Sequence, residues 1–457
     1  MTNEKDRFGF DWTRVKGTHF WSRPQLSRRL MFRHAATAVG GYFLLPGGAM
    51  ETVAKAAVSP KGTAKNVVFV LLAGGPSHVD TFDLKEGAWT PAFLAPTSYG
   101  DVRFPQGLMP KIADQMGNIA LVRSVKSWAA VHSLAQTWIQ IGRNPVSGLA
   151  KIAPHIGSVV SLELGNRQQM LPSFISLNVQ TGPGPGYLAP EHSAFYINNP
   201  GGTGLPNSTH RDGQPAYDRR HKFLSDLDSE QRTTDPRGAA YSEMASFNLS
   251  ARRLMYNDDV NRIFTFDNDT RARYGNTNFG NACIVTRNLL RANVGTRFVQ
   301  ITLGGWDNHV NIYQPNANLH AATRTLDGGV GSLIADLTGP LLDETLIVVM
   351  GEFGRTTGNP NNTNGRDHFL QQSVMMAGAR IRGGRAIGKT DADGRVTVDT
   401  GWSRDREIRA EDIEATIYSA LGIDWTTVRR DDPLGRGFEY VPFSDRDLYG
   451  PINELWG

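Results

Sequence analysis

The chain reads as an α/β protein built on a parallel or mostly parallel sheet with helices on both faces. Three observations predict this. Apolar, mostly β-branched runs recur without a polar interruption, as in strands buried on both faces. Helical stretches separate them, and strand–helix alternation is the pattern of a parallel sheet. Three of the runs end in glycine followed by His, Asp or Glu. Open α/β sheets present ligand-binding groups at that carboxyl edge.

In chain order, the first element is a leader. Ser27-Arg28-Arg29-Leu30-Met31-Phe32-Arg33 precedes an uncharged run from Ala35 to Met50 that contains Gly40, Gly41 and Pro46. That run is too short and too weakly apolar for a membrane span. With Ala54-Lys55-Ala56 behind it, the layout is that of an export signal with a cleavable end. The paired arginines resemble a twin-arginine signal, which exports proteins already folded. Residues 1–60 are therefore expected to be signal and linker, and the mature chain to be periplasmic or in the cell envelope. Residues 61–457 are expected to form a single domain. Residues 1–65 carry 11 Lys and Arg against four Asp and Glu; the remainder carries 37 against 40. The overall pI of about 9.1 thus belongs to the leader. No basic cluster remains to suggest nucleic acid. A single cysteine, Cys283, excludes an internal disulfide framework and reads as a small buried apolar residue.

Strands are expected at 66–72, 119–123, 171–179, 298–303, 346–350 and 373–379. Helices are expected at 132–141, capped by Gly142, and at 321–337 and 410–421, stopped by Gly422. Between 181 and 213 the chain holds five prolines and seven glycines, the texture of a surface excursion or substrate rim. Residues 214–296 read as a charged, mainly helical insertion, clearest at 217–227 and 240–256. The glycines at 383, 384, 388 and 394 suggest a hairpin insertion.

The candidate site lies where these strands end. Gly74-Gly75-Pro76-Ser77-His78-Val79-Asp80 follows the first strand, and Gly304-Gly305-Trp306-Asp307-Asn308-His309 follows the fourth. Gly351-Glu352-Phe353-Gly354-Arg355 follows the fifth, with Gly365-Arg366-Asp367-His368 on the loop behind it. Imidazole nitrogens with carboxylate oxygens are the ligand set of a divalent ion: zinc, manganese or calcium, one ion or two. The candidate ligands are His78, Asp80, Asp307, His309, Glu352, Asp367 and His368. Arg355 or Arg366 would steady an anionic group bidentately.

Together these motifs resemble a large family of exported, sulfatase-like bacterial proteins catalogued as a domain of unknown function, placed in the alkaline phosphatase superfamily. The resemblance covers about residues 27–425. It implies a three-layer α/β/α fold and hydrolysis or transfer of phosphate or sulfate esters. In that superfamily two metals flank a nucleophile at the start of a helix. On this resemblance Asp307 and His309 look like the pair that holds one metal, and His368 like the further histidine. Glu352 stands where the superfamily has an Asp, but Phe353 replaces a ligand histidine and Gly74 or Gly75 a ligand Asp. His78 or Asp80 could substitute. The nucleophile position falls on His132, beside Ser133. His132 could be nucleophile, metal ligand or general base, and Ser133 could take over the nucleophilic role. The expected substrate is a small-molecule or polysaccharide ester. The alternative is a catalytically degenerate binding protein of the cell envelope on the same fold.

Overall fold

The uninterrupted apolar runs become the centre of an eight-stranded sheet. A computed structural model of the chain describes residues 58–146, 152–166, 169–179, 182–232, 248 and 251–457. The leader motif, Thr181 and most of the helix expected over 240–256 lie outside them. The strands are β1 (Asn66–Leu72), β2 (Ile119–Lys126), β3 (Phe174–Leu177), β4 (Phe195–Ile197), β5 (Phe298–Leu303), β6 (Thr345–Met350), β7 (Gln371–Gly378) and β8 (Arg385–Ile387). Their order across the sheet is β8-β2-β7-β6-β1-β5-β3-β4. Only β7 runs antiparallel, against β6 and β2. β1 lies between β5 and β6 with all seven residues buried, so it has no polar face to alternate with.

The main helices are α1 (His132–Ile141), α2 (Ile156–Leu164), α3 (Gly213–Arg232), α4 (Asn278–Ala292), α5 (Asn318–Leu326), α6 (Ser332–Leu337) and α7 (Ala410–Ala420). The two-residue period of a strand sorts the sheet's side chains into two cores. Val68, Val70 and Leu72 join Ile347 and Val349 against α4, α5 and α6. Val67, Phe69 and Leu71 join Leu346 and Val348 against α1, α2 and α7. Tyr440, Ile452 and Leu455, from the last twenty residues, close this second core. The result is a three-layer α/β/α sandwich with a mostly parallel sheet.

Several boundaries depart from expectation for identifiable reasons. The stretch 171–179 pairs only over β3, because Asn178 takes a left-handed φ of 59° and ends the strand. β4 lies inside the Pro/Gly-rich excursion and β8 inside the glycine-rich turn region; each is three residues long, too short to show a period. Lys389–Thr390 and Thr397–Asp399 do pair as the expected hairpin. The stretch 214–296 ends in α4, which is core: Ala282, Cys283, Ile284 and Val285 are buried. The helix over 318–337 is interrupted by a π-turn at Asp327–Gly331. A Cβ at Gly329 would stand 2.6 Å from the Phe279 ring and 2.9 Å from Cys283 Sγ, so glycine is what lets this helix approach α4. Burial pushes the Cys283 thiol well up, consistent with an inert core residue.

Candidate metal centre

Three strand ends and one helix start supply the site. α1 begins at His132, and its last carbonyls are closed by Gly142 at φ 58°. After β1, Gly74 (φ 116°) and Gly75 (φ 69°) turn the backbone under the site. A Cβ at Gly74 would stand 2.7 Å from the Asp307 amide, and one at Gly75 would meet the Phe353 ring. Larger residues would therefore push apart the three segments that have to meet here. After β6, Gly354–Arg355 pairs with His368–Phe369 in a two-stranded ribbon, which carries His368 back to the sheet edge.

The histidines are oriented in one way. His368 Nδ1 lies 2.8 Å from the Ala130 carbonyl oxygen. A carbonyl only accepts, so Nδ1 carries the proton and a neutral ring has its lone pair on Nε2. His309 Nδ1 lies 2.9 Å from Asp367 Oδ1, and His132 Nδ1 lies 2.7 Å from Glu352 Oε1. All three Nε2 atoms then turn to one carboxylate oxygen, Asp307 Oδ1: at 2.9 Å from His309, 3.3 Å from His132 and 3.4 Å from His368. His309 Nε2 and His368 Nε2 are 3.1 Å apart, and His132 Nε2 is buried with no hydrogen-bond partner. Arg355 reaches His309 Nε2 and Asp307 Oδ1 from one side. The His132 and His368 lone pairs have no such donor and repel the carboxylate unless a second cation sits among them. The donor set, imidazole nitrogen with carboxylate oxygen, fits one borderline ion such as zinc or manganese better than calcium, which takes oxygen ligands. His132, Asp307 and His368 could hold it, with His309 beside them. The Asp307 side chain is 48% exposed and that of His309 41%, so a bound ion would be open to solvent on that side. Burial raises the Asp307 carboxyl, but the hydrogen bond and charge of Arg355 outweigh it and hold the group at about 2.

The other expected site residues have different work. Arg355, fully buried, spends its guanidinium donors on Gly75 O, Gly74 O, Arg366 O, His309 Nε2 and Asp307 Oδ1. Arg366, also buried, donates to Asp80, Thr356 O, Gly358 O and the Tyr313 hydroxyl. A guanidinium has five N–H groups, and neither arginine keeps one for a substrate anion. Asp80 is correspondingly committed to other partners: it pairs with Arg366 at 2.8 Å and accepts from Ser77 Oγ (2.5 Å) and Tyr313 OH (2.6 Å). His78 is buried behind Phe369 and gives Nε2 to the Gly394 carbonyl at 2.8 Å; desolvation lowers its pKa despite Asp83 and Asp80. Asp367 backs His309 instead of facing the cluster. Glu352 is fully buried, and its Oε1 also accepts from the Gly74 amide (2.9 Å) and Gln136 Nε2 (2.8 Å). Ser133 is exposed and shares no hydrogen bond with the cluster among the described residues. Phe353 is buried with its ring 4.8 Å from that of His132 and 4.6 Å from that of His368, an apolar wall beside the site.

Sequence reasoning did not find Gln136 or the Ala130 carbonyl. Gln136 stands one helical turn after His132, and that i, i+4 spacing was the available signal; a backbone carbonyl gives none.

Solved structures with some likeness to this chain include the PsFucS1 sulfatase from Pseudoalteromonas sp., 12% identical, with a TM-score of 0.40, over 79% of this chain and 68% of that one. A putative sulfatase from Bacteroides thetaiotaomicron is 12% identical with a TM-score of 0.36, over 82% and 73%. A protein in the alkaline phosphatase superfamily from Vibrio parahaemolyticus is 11% identical with a TM-score of 0.34, over 80% and 69%. These are distant likenesses, and the fold assignment rests on the sheet order itself. No curated protein matches the sequence. Over residues 64–445 the chain matches the family described as "Protein of unknown function (DUF1501)", and it belongs to that family.

Proposed function

We propose that this chain is an exported hydrolase of phosphate or sulfate esters that works with one divalent metal ion. The ion would be held by Nε2 of His132 and His368 and by Oδ1 of Asp307, with His309 Nε2 joining them by exchanging its Arg355 hydrogen bond for the ion. The observation that carries the reading is the convergence of three imidazole Nε2 atoms on one carboxylate oxygen at 2.9–3.4 Å. A single ion is favoured over two, because Phe353 and Gly74 stand where further ligands would be needed. When bound, the ion would supply Lewis-acid polarisation of the ester oxygen. This chain's part is to hold that ion at an exposed sheet edge, with Phe353 keeping water from one side. His132 is occupied as a ligand and Ser133 stands outside the cluster, so neither is assigned a nucleophilic role. The ester class comes from the resemblance of the Gly-Gly-Pro-Ser-His, Gly-Gly-Trp-Asp-Asn-His and Gly-Arg-Asp-His segments to sulfatase-like proteins. Export is supported by the Ser27–Arg33 segment and the uncharged run behind it. Among the described residues no helix is long and apolar enough to cross a membrane.

The test is hydrolysis of aryl phosphate and aryl sulfate esters by the mature protein with added Zn²⁺ or Mn²⁺. Turnover that needs the ion and disappears in Asp307→Ala supports the reading. A loaded protein that turns over neither ester favours the second one, a metal-containing binding protein. The observation behind that alternative is that Arg355 and Arg366 are fully committed and leave no donor for an anion.

A further inference from the structure

We infer that Asn361 and Gln136 are positioning residues of the metal centre, each acting through a carboxylate that is itself not a ligand. The inference rests on the single-ion reading above and assigns the layer behind it. Asn361 Nδ2 donates to Asp367 Oδ1 (3.2 Å) and to the His309 carbonyl (3.4 Å). Its Oδ1 accepts from the amides of Thr363 (3.0 Å) and Gly365 (2.9 Å). One side chain thus folds the 361–365 turn and fixes the oxygen that receives His309 Nδ1–H. Thr363 Oγ1 adds a second tie to the His309 carbonyl, at 2.6 Å. On the other side, Gln136 Nε2 and the Gly74 amide hold Glu352 Oε1, the oxygen that receives His132 Nδ1–H.

The chemistry explains why two layers are needed. A neutral imidazole has two tautomers, and only the Nδ1–H form aims a lone pair from Nε2 at an ion beside Asp307. Asp367 is half-exposed and on a loop, so without a second tie it could rotate away from His309. Asn361 removes that freedom. His368 needs no such device, because its acceptor is the backbone carbonyl of Ala130. Outer partners of this kind commonly change metal affinity by about 10–100-fold while leaving the ligands in place.

The experiment uses Zn²⁺ and Co²⁺ with the mature chain and its Asn361→Ala, Asn361→Asp, Asp367→Asn and Gln136→Leu variants. Zn²⁺ affinity is measured by chelator competition and the ligand field by the visible spectrum of the Co²⁺ form. The expected result is one ion per chain throughout, an affinity lower by about 10-fold or more, and an unchanged Co²⁺ spectrum. Asn361→Asp is expected to be weaker than Asn361→Ala, because it sets a second negative charge beside Asp367. If Asp367→Asn changes the Co²⁺ band pattern, Asp367 is a ligand and the inference fails. Unchanged affinity with a lower Tm would make Asn361 a turn former only, which also overturns it. The metal-free protein gives an independent readout: nitrogen-15 shifts of the imidazoles at pH 8 should show His309 and His132 protonated on Nδ1. Proton occupancy on Nε2 of either ring in wild type contradicts the inference whether or not metal binds. A wild-type chain that binds neither ion, but shows Nδ1–H rings, instead removes the single-ion reading.

Discussion

Two clusters, each built round an aspartate and a buried arginine, sit at the ends of neighbouring strands, and their contrast is instructive. Around Asp80, a carboxylate, an arginine, a tyrosine and a serine are buried with donors matched to acceptors: Arg366 Nε and the hydroxyls of Ser77 and Tyr313 all donate to the carboxylate. Around Asp307, three imidazoles, each with Nδ1 already engaged, present acceptors to a carboxylate that is half-exposed. The first cluster is complete as it stands. The second gains a cation from Arg355 on one side only and has room in its donor tally for another. The aspartate–arginine pair is common to both; the count of donors and acceptors separates them.

The comparison can be broken most decisively at the buried pair. Arg366→Ala leaves Asp80 charged and buried, and loss of one partner from such a pair costs about 3–5 kcal/mol. Urea denaturation should show that loss, and the surviving folded fraction should still bind metal. An equal loss of stability in Asp307→Ala without metal would erase the distinction, since Asp307 is half-exposed and Arg355 keeps its other acceptors when Asp307 is gone.

The next largest effect sharpens the other side. Ion binding to the native state alone should raise stability by about 2.7 kcal/mol at 100 times the dissociation constant. Adding Zn²⁺ should therefore raise the Tm of wild type and of a stable buried-network variant such as Tyr313→Phe, but not that of Asp307→Ala/His309→Ala. A Tm rise in the double variant would place the ion elsewhere.

A third carboxylate lies between the two cases. Glu414 is buried, accepts from Tyr418 OH at 2.9 Å, and leaves Oε2 without a partner. Desolvation pushes its pKa up to about 8, with Arg143 and Tyr418 only partly opposing. Its native pKa lies above the ordinary 4.5, so the native state holds the proton that the unfolded chain releases. Stability from this group is complete below pH 4.5, falls as pH rises, and is lost once pH passes about 8. The slope approaches about 1.4 kcal/mol per pH unit within that window. Glu414→Gln should flatten the fall; an unchanged pH profile would mean that the group is ionised in the fold.

Much of this was legible in the sequence. The buried strands announce themselves because β1 after Asn66 and β6 after Thr345 are apolar without a break, and α1 because Gly142 closes it. That Asp307 and His309, behind glycines at one strand end, would meet His368 from the loop behind another was an expectation the sequence allowed. What was not readable depends on partners distant in sequence. Arg355 and Arg366 look free until their acceptors, from Gly74 to Gly358, are seen around them. Asp80 looks like a ligand until Arg366, 286 residues away, is found on it. Glu352 and Asp367 point at imidazoles, and only geometry separates a ligand from the group that orients one.

The most direct test of the single-ion centre is metal content by elemental analysis, with wild type beside Asp307→Ala/His309→Ala. One divalent ion per chain in wild type and none in the double variant is the expected result. A wild-type protein that carries no ion after purification and takes up none from added Zn²⁺ or Mn²⁺ would contradict it.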